Sequence, residues 1–326
     1  MVDSKEITNI VFFSDKNYEY QIRGLIKSID LRRLNGIRLI YYTVGFDSEL
    51  ERPDLIKKRI EFDSTKPRFE YYKPGILLDV AQNFPGHSIF LDSDIIVGKR
   101  FSPEKIKHNL EFPLFSVGNW EGPFSYYHRD TSIFPAFKIG DRVSTKHYTH
   151  MGEVIDINHE TQTIRFIDSE TRETIESKQS DMEPSVFYDH YTLMSYMGVS
   201  DIPMTYVSTC FASFNDKCQD ILLEWKATLE NEYLLKKHKE YFAFHDETAL
   251  NVILWRRKIN RNLGRVFLNT LYSSAAIETE INDNIVNVNI QDNPNQYCSR
   301  SSDILFYHGM KDQGEIEKIL EHLSRS

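Results

Sequence analysis

The chain has 326 residues, 40% of them hydrophobic and 27% charged, which suits a globular protein with room for one large α/β domain or two smaller ones. Its formal net charge is −9 and it carries no sustained basic stripe; Lys236-Lys237-His238-Lys239 lies among Glu230, Glu232 and Glu240, which argues against nucleic acid or an anionic membrane as the main partner. Cys210, Cys218 and Cys298 lack metal-ligand spacing and cannot all pair, Met1 to Glu6 is too polar for a signal peptide, and no run approaches about 18 apolar residues, so a cytoplasmic protein with reduced thiols and no transmembrane segment is expected.

In chain order, Ile10 to Asp15 predicts a buried strand, and Ile22, Leu25, Ile26 and Ile29 predict a helix starting near Tyr18. Gly36 to Val44 predicts a second strand, Pro53 to Arg59 a short polar helix, and Tyr71 to Gln82 a helix opening at Lys73-Pro74. A further strand is expected across His87 to Val97. Such β-α alternation predicts a mostly parallel sheet flanked by helices, with ligand at the carboxyl ends of the strands. The aromatic, turn-rich stretch from Phe112 to Pro135, with Trp120, Tyr126 and Tyr127, reads as a lid or as a packed loop.

From Lys138 the pattern changes. Lys138 to Val143, Met151 to Ile157, Thr163 to Ile167 and Glu173 to Glu176 are short β-like runs without helical periodicity, which predicts a small barrel. The G-D-x-V and G-x-V-x-x-I patterns within it resemble the opening of SH3-like barrels; a plain hairpin excursion packed on its host is the competing reading. After Pro184 the α/β pattern returns, with a strand over Tyr206 to Phe214, helices over Cys218 to Leu229 and Phe244 to Trp255, a closing segment from Asp303 to Asp312, and a last helix from Gly314 to Leu323.

The chemistry concentrates at His87-Ser88-Ile89-Phe90-Leu91-Asp92-Ser93-Asp94-Ile95-Ile96-Val97. Two acids two apart would share one face of a strand, where they repel each other and lose hydration unless a cation lies between them. A hard divalent ion resolves that conflict. The competing reading is a strand ending in a turn, with Asp92 or Asp94 capping the next segment.

Taken with Phe13-Ser14-Asp15 and Asn17-Tyr18 after the first strand, Asp246-Glu247-x-x-Leu250-Asn251, and His308-Gly309-x-Lys311, this stretch resembles nucleotide-sugar glycosyltransferases of the GT-A fold, nearest to the glycogenin-like retaining group. The resemblance covers residues 7–136 and 185–312. It departs from the family in the intervening segment, in the contracted His-Gly-x-Lys spacing and in the missing Pro-Trp tail. It implies a GT-A, Rossmann-like domain formed by a nucleotide-binding part (1–136) and an acceptor-side part (185–326), interrupted by an SH3-like insert (137–184). It further implies Mn²⁺ or Mg²⁺ held by Asp92, Asp94 and His308, and a nucleoside-diphosphate sugar, expected to be a UDP-sugar used with retention, lined by Asp15, Tyr18, Lys73, Asp92 and Lys311. Asp246 and Glu247 are the candidate catalytic carboxylates: in an inverting enzyme one would deprotonate the acceptor hydroxyl, whereas in a retaining one the resemblance gives the position to sugar binding, the reading favoured for Asp246. The acceptor, whether glycan, protein or small molecule, is left open. Two rival readings are a sugar-nucleotide nucleotidyltransferase, disfavoured because Phe13 to Asn17 lacks glycine, and a catalytically silent binding protein acting through its β insert.

Overall fold

The structure is a computed structural model. It describes residues 7–66, 69–106, 113–117, 137, 139–140, 142–145, 150–168, 171–184, 193, 196–199, 207–231, 246–259, 267–270, 277–282, 285–290, 297–300, 306–308 and 312–325. The chain divides into two compact units, one from Met1–Asn119, Val207–Lys226 and Arg261–Ser326, the other from Trp120–Tyr206 and Ala227–Asn260.

The first unit starts with β1 (Thr8–Ser14), buried at every position because it lies inside a sheet covered on both faces. A 3-10 turn (Lys16–Tyr18) leads into α1 (Glu19–Leu31), whose Ile22, Leu25, Ile26 and Ile29 pack with Ile10 and Phe12. β2 (Ile37–Val44) pairs parallel with β1, and β3 (Leu55–Ile60) pairs parallel with β2. β3 corrects the polar helix expected from Pro53 to Arg59. An edge strand can send Lys57 and Arg59 into solvent, where charge also blocks unwanted pairing, so position in the sheet overrides the helical preference of Lys and Arg.

α2 (Lys73–Asn83) follows a 3-10 turn (Phe69–Tyr72), with Pro74 at its start as anticipated. β4 (Ser88–Leu91) pairs parallel with β1, β5 (Ile95–Val97) enters a different sheet, and α3 (Pro103–Ile106) precedes β6 (Leu114–Val117). α2 and β3 are tied together through Asp79, which accepts from Lys58, Tyr42 and Asn83. Burial would raise the Asp79 carboxyl, but Lys58 and Tyr42 overcome it and hold the group below the usual carboxylate range. A depressed folded-state value contributes stability above the unfolded value and loses it as pH falls. Asp79→Asn is therefore expected to lower the melting temperature at neutral pH, with the difference from the parent closing below about pH 4; a difference that persists unchanged into acid would contradict the account.

In the second unit, β7 (Arg142–Thr145), β8 (Met151–Asn158), β9 (Thr163–Asp168) and β10 (Thr174–Lys178) form an antiparallel meander, and a 3-10 turn (Gln179–Asp181) leads to β11 (Met182–Pro184), which returns to pair with β7. β8, β9 and β10 lie where the short β-like runs predicted them, β7 overlaps only the end of its run at Arg142 and Val143, and no run pointed to β11. Val143, Val154, Ile164, Phe166 and Met182 form their core, with Phe137, Ile157 and Ile175 packed against it.

β12 (Val207–Phe214) and α4 (Gln219–Leu229) match the strand and helix anticipated there, as does α5 (Asp246–Arg256), which belongs to the second unit. β13 (Phe267–Thr270), the meander β14 (Ile277–Asn282), β15 (Ile285–Ile290) and β16 (Tyr297–Arg300), then β17 (Phe306–His308) and α6 (Gln313–Ser324) complete the described chain. The largest sheet runs β3-β2-β1-β4-β12-β6, its first four strands parallel and β12 antiparallel to both neighbours. A second sheet, β13-β17-β5, carries β5. The protein is thus α/β, with a mostly parallel central sheet flanked by helices. Among the described residues, no helix is long and apolar enough to cross a membrane.

Candidate active site

The strand order decides where a ligand can sit. From β1 the sheet extends one way through β2 and β3 and the other way through β4, so the order reverses between β1 and β4. At such a switch point the connections leave the carboxyl ends in opposite directions and open a crevice. Asp15 follows β1 and Asp92 follows β4, and the pairing of Val11 with Phe90 puts Phe13 level with Asp92.

Asp92-Ser93-Asp94 is the turn by which the chain leaves β4 for β5 in the other sheet. This differs from the single strand expected across His87 to Val97. The two acids meet because a tight turn folds them inward, not because alternate residues of a strand share a face. The turn is pinned by the Asp92 N–H donating to the Cys210 carbonyl at 2.9 Å and by the Ser93 hydroxyl donating to Oε1 of buried Gln21 at 2.8 Å. β17 runs antiparallel to β5 with His308 opposite Ile95, which delivers an imidazole from far along the chain to the residue beside Asp94. Its Nε2 lies 3.6 Å from Oδ1 of Asp94.

Asp92, Asp94 and His308 each offer a ligand atom within 4.8 Å of the others, and all three are half-buried. Closing round a small divalent ion asks the outermost of these atoms to approach by about an ångström or more, a distance within the reach of side-chain rotation. Two carboxylates and one imidazole form a mixed oxygen–nitrogen set of the kind that holds a divalent metal ion. Burial pushes the nearby Tyr20 phenol up; its hydrogen bond to Gln21 opposes this, and the charges of Tyr18, Asp312 and Asp94 add smaller rises.

Lys73, expected to line the nucleotide sugar, is buried beside this group. Its side chain is 2% exposed; the ammonium is 3.1 Å from Oδ1 and 3.3 Å from Oδ2 of Asp92 and donates to the carbonyl and hydroxyl of Thr209, both at 3.2 Å. It also stands 5.4 Å from the centre of the Phe90 ring. Gln21 and Thr209 were not singled out in the sequence. Gln21 carried a weak signal, a polar residue beside Ile22 on a helix whose buried face is mostly aliphatic apart from Ser28, whereas Thr209 in a buried strand carried none.

The carboxylate of Asp15 caps the 3-10 turn after β1, accepting from the N–H groups of Asn17 at 2.8 Å and Tyr18 at 3.2 Å. That leaves Tyr18 46% exposed at the same edge of the sheet. Asp246 is buried and Glu247 half-buried at the start of α5, in the second unit, while Asp92, Asp94, His308, Lys73, Asp15 and Tyr18 all belong to the first. Lys311, Gly309, His245 and most of the Phe112 to Pro135 stretch lie outside the described residues.

No protein-family model and no curated protein matches the chain. Among solved structures it is similar to the bifunctional glycosyltransferase WbbM in its apo form, at 14% identity and a TM-score of 0.40, over 79% of this chain and 39% of that one. It is similar to the galactosyltransferase LgtC, solved with donor and acceptor sugar analogues, at 12% identity and 0.35, over 75% of this chain and 70% of that one. It is also similar to apo GlyE of Streptococcus pneumoniae TIGR4, at 12% identity and 0.31, over 79% and 45%. The chain thus spans about two fifths of WbbM's length. Likeness this remote carries no functional weight; the chemistry of Asp92, Asp94 and His308 does.

Proposed function

We propose that the protein is a metal-dependent glycosyltransferase of the GT-A type that moves a sugar from a nucleoside diphosphate, a UDP-sugar used with retention, to an acceptor hydroxyl. The observation that carries this is the convergence of Asp92, Asp94 and His308 at a switch point of a parallel sheet. In such a transfer the bond from the anomeric carbon to the diphosphate breaks with its electron pair on the diphosphate oxygen, and the acceptor oxygen bonds to that carbon while its proton passes to the departing diphosphate. Negative charge grows on the leaving group, so catalysis depends on stabilising it. Bound by Asp92, Asp94 and His308, Mn²⁺ or Mg²⁺ would supply Lewis acidity toward the diphosphate.

The protein's own groups have separate tasks in this reading. Tyr18, presented by the Asp15 cap, offers an exposed ring for the base. Lys311 brings a point charge to the diphosphate. We assign residues 137–184 to an SH3-like fold inserted between the parts 1–136 and 185–326; the meander, the 3-10 turn before β11 and the return of β11 to β7 support it. A reducing, cytoplasmic setting belongs to the same reading, since three cysteines cannot all pair with one another.

The test is a thermal-shift series with nucleoside diphosphates and their sugars, with and without Mn²⁺. A ligand that binds only the native state at a hundred times its Kd adds about 2.7 kcal/mol to apparent stability. UDP is expected to raise the melting temperature in the presence of Mn²⁺ and much less in its absence. Indifference to every nucleotide with Mn²⁺ present would remove the reading. Release of pyrophosphate during turnover would instead point to a nucleotidyltransferase.

A further inference from the structure

Lys73 stands at the first position of α2, where the positive end of the helix dipole makes a cation unwelcome, and its ammonium is almost wholly withdrawn from water. Contact with the Asp92 carboxylate offsets these penalties. The ammonium spans both oxygens of Asp92, at 3.1 and 3.3 Å, and the two Thr209 acceptors at 3.2 Å hold it there. Its remaining surroundings include the face of the Phe90 ring.

We propose that Lys73 is a positioning residue that fixes the Asp92 carboxylate and, by holding a permanent positive charge against a metal ligand, keeps the protein's affinity for a free divalent ion low. The proposal rests on the reading of Asp92, Asp94 and His308 as a metal centre. The Lys73 charge offsets part of the negative charge that Asp92 and Asp94 offer an ion, so an anionic ligand such as a diphosphate, bound together with the ion, compensates for what Lys73 takes away. Bound by the protein alone, the ion feels the ammonium across the width of one carboxylate, where repulsion is only partly screened. Removing the charge while keeping Asp92 should therefore tighten metal binding, the reverse of what deleting an ordinary structural contact does.

The experiment measures binding of Mn²⁺ alone, by calorimetry and by the loss of free-ion electron paramagnetic resonance signal, to the full chain and to Lys73→Met, Lys73→Gln and Lys73→Arg. Lys73→Met removes the charge into a residue that packs on Phe90; Lys73→Gln removes it while retaining N–H donors, and serves if the Met variant does not fold. Both neutral variants are expected to bind Mn²⁺ about tenfold more tightly than the parent, or more. Each should melt lower than the parent without metal and recover more on adding it. Lys73→Arg keeps the charge and is expected to stay within about threefold of the parent. Unchanged or weaker Mn²⁺ binding in the neutral variants overturns the role of Lys73 and leaves the metal centre intact. Absence of Mn²⁺ binding in parent and variants alike removes the metal centre itself.

Discussion

Asp94→Ala is expected to abolish the Mn²⁺-dependent rise in melting temperature and to cut sugar transfer by about a thousandfold or more, the scale on which losing stabilisation of a departing anion is felt. The reason lies in how differently the two acids are placed. Asp92 is already engaged on both oxygens by the Lys73 ammonium, whereas Asp94 faces His308, which is uncharged in its metal-binding form. Asp94 therefore supplies the larger part of the negative charge available to an ion. Because it sits half-buried in a turn, its replacement by Ala should leave the fold unchanged by circular dichroism. A Mn²⁺ shift that survives in Asp94→Ala would place the ion elsewhere and remove the basis for the proposed chemistry.

Gly152→Ala is expected to have the largest effect on the fold of the second unit. Gly152 lies in β8 between Val143 of β7 and Asp168 of β9, and a Cβ there would stand 1.8 Å from the carbonyl oxygen of Ile167 and 2.6 Å from its carbon. Those are backbone atoms within the ladder, so no side-chain rotation relieves the overlap. The strands must separate, which is expected to cost about 3 kcal/mol, at the upper end for overpacking. Hydrogen exchange of the full-length chain should show loss of protection across residues 151–168 while β1, β2 and β4 stay protected. Parent-like protection in the variant would show that β8 and β9 do not approach as described. Gly24 is a milder case: the atoms a Cβ would meet, Cγ2 of Ile316 at 2.7 Å and Cδ1 of Ile96 at 3.3 Å, end movable side chains.

Much of the architecture was legible in local pattern. Runs such as Ile10 to Phe13 and Ile89 to Leu91 can be satisfied only in a buried strand, and the spacing of Ile22, Leu25, Ile26 and Ile29 only on a helix. The expectation failed where a local signal was weaker than its surroundings. Leu55 to Ile60 carries three basic residues and reads as helix, yet it is a strand, because the open edge of β2 offers a ladder of hydrogen bonds that a short exposed helix cannot match. The meander β14 to β16 drew no reading at all.

The candidate site divides along the same line. That Asp92 and Asp94 are close, that apolar residues flank them, and that a histidine and a lysine lie elsewhere with chemistry to match were properties of the residue order, since neighbours two apart cannot escape each other. Only tertiary structure could bring His308 beside Asp94, because strand register between β5 and β17 has no trace in local spacing. Only tertiary structure could bury Lys73 against Asp92, because burial depends on what packs around a side chain, here Phe90 and Thr209, rather than on the neighbours it has in the chain.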